Sequence, residues 1–222
     1  RPDGGEGREG EGGGMEDGGG VLKTSSASQE AALSLYDAGK ALGGAVVDCP
    51  VSGSTPGADS AALVVLAGGD TQALAQAKPV FDAIGRLTVQ AGPAGSGARL
   101  KLVINGIMGA GLTALAEAVA YGLAAGLERD MLFGALDEMA VISPHHKRKL
   151  RMAQAGDFSP QFPARLMQKD MRLLMDAAAR EAVPAPTLAA ATQQLSLARR
   201  AAADSDYAAL IGIMENIAAN DP

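Results

Sequence analysis

Apolar and polar positions along this chain change their period once, near residue 93. Before that point short apolar runs alternate with helix-spaced ones. Ala45-Val-Val-Asp48, Ala62-Leu-Val-Val-Leu-Ala67 and Leu87–Ala91 read as strands, bounded by Pro50, by Gly68-Gly69-Asp70 and by Gly92-Pro93. Ser28 predicts the N-cap of a helix over 29–42, with Gln29 and Glu30 in its first turn and Ala32, Leu35, Tyr36 and Leu42 inward. Gly43-Gly44 ends it, and 71–84 reads as a second helix. Beyond Gly92-Pro93 the pattern is helical throughout. A long alanine-rich, proline-free run covers 96–126, then a helix over 129–140, a polar loop with Ser143-Pro144 and His145-His146, and helices over 163–182, 187–202 and 206–218. Pro184, Pro186 and Asp204-Ser-Asp206 separate the last three. Residues 1–20 follow neither period: half are glycine, both charge signs occur, and Met15 is the one sizeable apolar residue. Such a segment buries too little surface to offset its ordering entropy, so disorder is expected there. An α/β layer followed by an all-helical one is the predicted architecture.

Composition narrows the function classes. The 222 residues, 47% of them hydrophobic, suffice for a sizeable core. No apolar stretch is expected to reach bilayer-spanning length, and no basic-then-apolar leader pattern opens the chain. A formal charge of -6 with pI ≈ 4.9 argues against nucleic acid as the main partner. The single Cys49 rules out an internal disulfide framework and fits a reducing compartment, so a soluble, cytoplasmic protein is expected.

Three segments carry candidate chemistry. In Gly95-Ser-Gly-Ala-Arg-Leu-Lys-Leu-Val-Ile-Asn105, Lys101 and Asn105 lie one helical turn apart among apolar residues. A lysine on a helix about to be buried must be neutralised, paired or employed, although taken alone this one also reads as snorkelling. Asp48-Cys-Pro-Val-Ser-Gly-Ser-Thr-Pro-Gly-Ala58 leaves a strand into a loop rich in hydroxyls and backbone N–H groups, suited to a carboxylate or phosphate or to an ordinary turn. Phe162-Pro-Ala-Arg-Leu-Met-Gln-Lys-Asp170 sets Lys169 beside Asp170 on an amphipathic helix, otherwise a solvated charge pair. His145-His146 are poorly spaced as metal ligands and have no cysteine or acidic cluster near them. Gly5-Glu-Gly-Arg-Glu-Gly10 spells G-x-G-x-x-G without the flanking strand and helix that motif needs, and Gly109-Ala-Gly-Leu-Thr-Ala114 lies inside a helical run. Neither reads as a dinucleotide fingerprint.

In this order, the Asp48–Ala58 loop, Gly95-x-Gly97-x-x-x-Lys101-x-x-x-Asn105 and Lys169-Asp170 resemble the β-hydroxyacid dehydrogenase family, which includes 3-hydroxyisobutyrate dehydrogenase and tartronate semialdehyde reductase and is related to 6-phosphogluconate dehydrogenase. Gly68-Gly69-Asp70, Asp157-Phe-Ser-Pro160, Val183-Pro-Ala-Pro-Thr187 and Asp204-Ser-Asp-Tyr-Ala-Ala-Leu210 support it, so the resemblance runs from about 21 to about 215. It implies the end of a Rossmann-type nucleotide-binding domain with the substrate loop over 21–93, then an all-helical substrate and dimerisation domain over 94–222. It implies NAD or NADP as cofactor, a small hydroxy acid or semialdehyde as substrate, and a homodimer or homotetramer. It makes Lys101 the catalytic acid/base and Asn105 the group that orients substrate and lysine. Ser52 and Gly53 become the carboxylate site, and Lys169, with Asp170 as its neighbour, a cofactor contact. Ser26 falls where the family has a cofactor-contacting threonine, a weaker match.

The departures are informative. Ala61 stands where the substrate loop usually has glycine. Ile104 replaces the histidine of sugar-phosphate members, which argues against 6-phosphogluconate; Lys101 argues against imine reduction and against the catalytically dead, histone-associated relatives. The glycine-rich β-α-β unit that holds the pyrophosphate is not readable before Val21, and only the last helix and strand of the nucleotide fold are expected after it. A truncated or frame-shifted reading is therefore expected. The rival expectation is a non-catalytic dimerising fragment or pseudoenzyme of the same family.

Overall fold

The computed structural model describes residues 19–219. Most of the segment expected to be disordered, including the rejected Gly5–Gly10 motif, lies outside them, but Gly20 already belongs to a strand. β1 (Gly20–Lys23), α1 (Gln29–Ala41) and β2 (Ala45–Asp48) form a parallel β-α-β unit in which Val21 pairs with Val46. This corrects the expectation that only one strand and one helix of the nucleotide fold would remain: Gly20-Val-Leu-Lys is too short to announce itself without its partner strand. Ser28 caps α1, its hydroxyl accepting from Ala31 N at 3.2 Å.

The chain then reverses. β3 (Val51–Ser52) and a short helix α2 (Ser54–Asp59) occupy the stretch read as pure loop. β4 (Leu63–Gly68) runs antiparallel to both β2 and β3, and α3 (Thr71–Ile84) leads into β5 (Gly85–Gly92), parallel to β4. Val47, Cys49, Val65, Ala67 and Phe81 form the core between this sheet and α3. Burial pushes the Cys49 thiol up to about 12, which keeps it protonated and unreactive.

Among the described residues six helices follow: α4 (Ser96–Ala124), α5 (Arg129–Glu138), α6 (Pro144–Ala155), α7 (Ala164–Arg180), α8 (Pro186–Ala202) and α9 (Ala209–Ala219). α4 runs through their middle and packs on α6, α7, α8 and α9 around Leu112, Leu115, Val119, Met171, Leu195 and Ile211. Gly109, set aside as a nucleotide motif, serves this packing: a Cβ there would lie 2.7 Å from Met171 Sδ. By length and composition α4 could cross a bilayer, contrary to the sequence expectation. Half of its most apolar window is buried in the protein, so its apolarity is used as a core helix. α6 is the second correction. Ser143 caps it through His146 N at 3.2 Å and Pro144 takes the first turn, where its missing N–H costs nothing. The polar run His145-His-Lys-Arg-Lys149 hides the helix, whose buried face is Lys149, Leu150, Met152 and Ala153.

One joint fixes the start of α4 on the sheet. At the end of β2 the buried Asp48 carboxylate accepts from Gly95 N at 2.9 Å and Ala98 N at 2.8 Å, satisfying N–H groups that the helix start leaves free. Burial raises the Asp48 pKa, against the pull of those N–H groups. Lys101 follows one turn later.

Candidate active site

Lys101 projects into a cavity of about 310 Å³ that also touches Thr24, Ser26, Ser52, Gly53 and Phe162. Each wall has a different origin. Thr24 and Ser26 follow the carboxyl end of parallel strand β1, where open α/β sheets bind ligands. Ser52 ends β3, Lys101 lies in the second turn of α4, and Phe162 precedes α7. Among the described residues Lys101 makes no ion pair or hydrogen bond. Burial lowers its pKa first; the Asp170 carboxylate pulls it back up and the Lys169 ammonium pushes it down. A half-buried amine without a partner, set among hydroxyls, can both take and give a proton.

Asn105 is fully buried and does not line this cavity. Its Nδ2 donates to Asp170 Oδ2 at 2.6 Å, while its own Oδ1 has no partner among the described residues. Asp170 Oδ1 lies 3.0 Å from Lys169 Nζ, and that ammonium donates to Ser26 O at 2.9 Å. A continuous polar chain therefore runs Asn105–Asp170–Lys169–Ser26 behind and beside Lys101. The six residues singled out in the sequence fall into two groups. Lys101, Ser52, Gly53 and Ser26 share the cavity; Lys169 is tied to it directly at Ser26, and Asn105 through Asp170 and Lys169.

The substrate loop is conformationally demanding. Gly53 has φ +145, and a Cβ on it would come within 2.9 Å of Leu63 Cδ2. Ser54 (φ 56) and Ala61 (φ 51) are also left-handed without being glycine. The unusual Ala61 therefore occupies a position that glycine suits better. Ala61→Gly should raise stability by about 0.5–1 kcal/mol, the relief at φ > 0 outweighing the unfolded-state entropy of glycine. Chemical denaturation checks this, and a loss of stability would contradict it.

Several site residues escape sequence reasoning. The sequence sets Asp170 beside Lys169, yet its firmest bond is to Asn105. Lys149 lies within a polar run, yet it is fully buried and paired with Asp206 at 2.8 Å. Gln161 and Phe162 reach the cavity from an irregular segment. The usable signals were the Ser143-Pro144 helix start, which places Lys149 beside Leu150 on an inward face, and the position of Thr24 just after a strand. The two histidines serve structure. His146 contacts Met108 O at 3.0 Å and Ser143 Oγ at 2.9 Å. His145 bonds Tyr207 OH, and burial draws its pKa down to about 3.

The family model described as NAD-binding of NADP-dependent 3-hydroxyisobutyrate dehydrogenase matches residues 95–214, and that of the NAD binding domain of 6-phosphogluconate dehydrogenase matches 6–92. Glyoxylate/succinic semialdehyde reductase 1 of Arabidopsis thaliana is 34% identical over 196 residues, 88% of this chain and 68% of the reductase. NAD-dependent L-serine dehydrogenase of Pseudomonas aeruginosa is 35% identical over 173 residues, 75% of this chain and 58% of that enzyme. The crystal structure of 3-hydroxyisobutyrate dehydrogenase from Salmonella typhimurium superposes with TM-score 0.83 at 27% identity, covering 90% of this chain and 70% of that one. With both layers of the fold matched, the chain belongs to the β-hydroxyacid dehydrogenase family, whose cofactor is NAD or NADP.

Proposed function

We propose that this chain supplies the substrate half of an NAD(P)-dependent oxidoreductase that interconverts a small 3-hydroxy acid and its semialdehyde. The observation that carries the reading is the half-buried Lys101 amine, without an ion-pair or hydrogen-bond partner among the described residues, in a small cavity with Ser52 and Gly53. Ser52 and the backbone at Gly53 hold the substrate carboxylate. Lys101 takes the hydroxyl proton as the carbonyl forms and returns it in the reverse direction. Asn105 and Asp170 set the field behind it.

The residues present suit a nicotinamide dinucleotide. Thr24 and Ser26 offer hydroxyls at the carboxyl end of β1, and the half-exposed Lys169 ammonium stands at Ser26. When bound, the nicotinamide accepts hydride from the substrate or donates it back. The glycine-rich β-α-β unit that would hold the pyrophosphate is not among the described residues, so we assign 21–93 to part of a dinucleotide-binding domain and 94–222 to the substrate and dimerisation domain. A homodimer or homotetramer is proposed on the exposed α4 stripe of Val103, Ile107 and Tyr121, which are 53%, 67% and 76% exposed. NAD(P)H consumption with a panel of short semialdehydes, alongside calorimetric titration of both dinucleotides, tests the reading. Turnover with at least one semialdehyde is expected; neither binding nor turnover would leave the non-catalytic fragment.

The charges around Lys101 give a signed pH prediction. Oxidation needs the neutral amine, so kcat/KM for the hydroxy acid should rise with pH up to the Lys101 pKa and level above it; reduction needs the ammonium and falls over the same range. Asp170 raises this pKa and Lys169 lowers it. Asp170→Asn should therefore move the rising limb to lower pH, and Lys169→Met should move it to higher pH. Shifts of equal sign in the two pH–rate profiles would refute the arrangement.

A further inference from the structure

Beneath the cavity wall lies a buried ion pair that the proton-transfer chemistry does not use. The Lys149 and Asp206 side chains are both 0% exposed and meet at 2.8 Å. Asp206 Oδ2 also accepts from Gln161 N at 3.1 Å and Phe162 N at 2.9 Å, and Oδ1 accepts from Ala208 N at 3.0 Å. Gln161 and Phe162 are the two residues of the irregular α6–α7 connection that line the substrate cavity. The connection is stitched to the same spot elsewhere: Asp206 N donates to Phe158 O at 2.9 Å and Tyr207 N to Phe162 O at 3.1 Å. The Phe162 ring packs edge-on against Tyr207. The Gln161 Oε1 adds no anchor: it is buried without a hydrogen-bond partner among the described residues.

We propose that Lys149 and Asp206 are positioning residues for substrate binding: Lys149 anchors the Asp206 carboxylate in the interior through their 2.8 Å contact, and that carboxylate fixes the Gln161-Phe162 backbone as one wall of the cavity. Two buried charges are a poor way to gain stability alone, since an apolar pair of similar volume does as well or better. A carboxylate oxygen gathering three donors from two separate segments is, by contrast, a stiff locator of backbone. The kinetic part of this inference rests on the proposed oxidoreductase function; the structural part does not.

The test uses the full chain, with Lys149→Met and the charge-neutral double variant Lys149→Met/Asp206→Asn. In the wild type the Gln161 and Phe162 amides should exchange with deuterium as slowly as buried helix amides. In the double variant they should exchange roughly 10-fold faster while those of Leu115 and Val119 keep their protection. KM for the semialdehyde should rise roughly 10-fold, with kcat and dinucleotide affinity changed less than about threefold. A lowered melting temperature with unchanged KM and unchanged exchange at 161 and 162 overturns the proposal, because that is what a purely structural pair would give. If the wild type turns over no semialdehyde, the oxidoreductase reading fails, and selective exchange at 161 and 162 still decides this one. Should neither variant fold, rapid exchange of those two amides in the wild type overturns the proposal and slow exchange supports it.

Discussion

Lys101→Ala is expected to lower kcat roughly 10³-fold while leaving substrate KM within a few-fold, the scale of losing a positioned acid/base. The split follows from the cavity. The carboxylate contacts at Ser52 and Gly53 and the hydroxyls of Thr24 and Ser26 do not depend on the amine, so binding survives while proton transfer does not. Stability should move the other way. Lys101 has no ionic or hydrogen-bonding partner among the described residues, and burial works against its charge. Removing it relieves a desolvation cost, and a melting temperature equal to or above that of the parent is expected. Lys101→Arg should fail to rescue, because guanidinium does not give up its proton near neutral pH and a longer planar group does not fit a small cavity. Rates are measured with the best semialdehyde found, and melting by calorimetry. Equal turnover by parent and Lys101→Ala would remove the lysine from the chemistry.

How much of this was legible in the sequence depended on the range of each interaction. Ser28 and its helix, the strand at Leu63–Gly68 and the Lys101/Asn105 spacing are local facts, decided by caps, periods and turn residues within a few positions. What the sequence hid is long-range or masked by polarity. Asn105 meets Asp170 across 65 residues and Lys149 meets Asp206 across 57, and no local pattern announces either pair. Lys149 sits in a run of five basic or imidazole residues, so hydropathy reported a loop where an N-capped helix buries its ammonium completely. β1 escaped because a four-residue strand means little until its parallel partner is in place. The converse holds at α4, where interleaved glycines and alanines disguise the apolar length of the helix. Those small residues let α7 and α8 approach closely.

The joint that carries Lys101 yields the largest expected loss of stability. A Cβ on Gly97 would collide with Leu66 O, would lie 2.6 Å from Asp48 O and 2.9 Å from Asp48 Oδ2. These are backbone atoms of β4 and β2 and the carboxylate that caps α4, none of them free to swing aside. Gly68, facing the same point, is equally confined: its Cβ would be 2.6 Å from Asp48 Oδ1 and 2.8 Å from Gly97 N. Gly97→Ala must push the first turn of α4 off the sheet or displace Asp48 from the N–H groups of Gly95 and Ala98. Overpacking against backbone together with a weakened cap should cost about 3 kcal/mol or more. That corresponds to a fall of roughly 6–12 °C in Tm for a chain of this size. Gly134→Ala in α5 is the matched control. Its Cβ meets nothing within 4 Å, so that substitution should be neutral or raise stability by up to about 1 kcal/mol through helix propensity. The damage should also reach the chemistry, because Lys101 stands one turn beyond Gly97 and its distance from Ser52 is set by this contact. In protein still folded at low temperature, Gly97→Ala should lose kcat as well as stability, whereas Gly134→Ala should lose neither. Equal melting temperatures for the two variants would mean that α4 is not seated on β2 and β4 through Gly97.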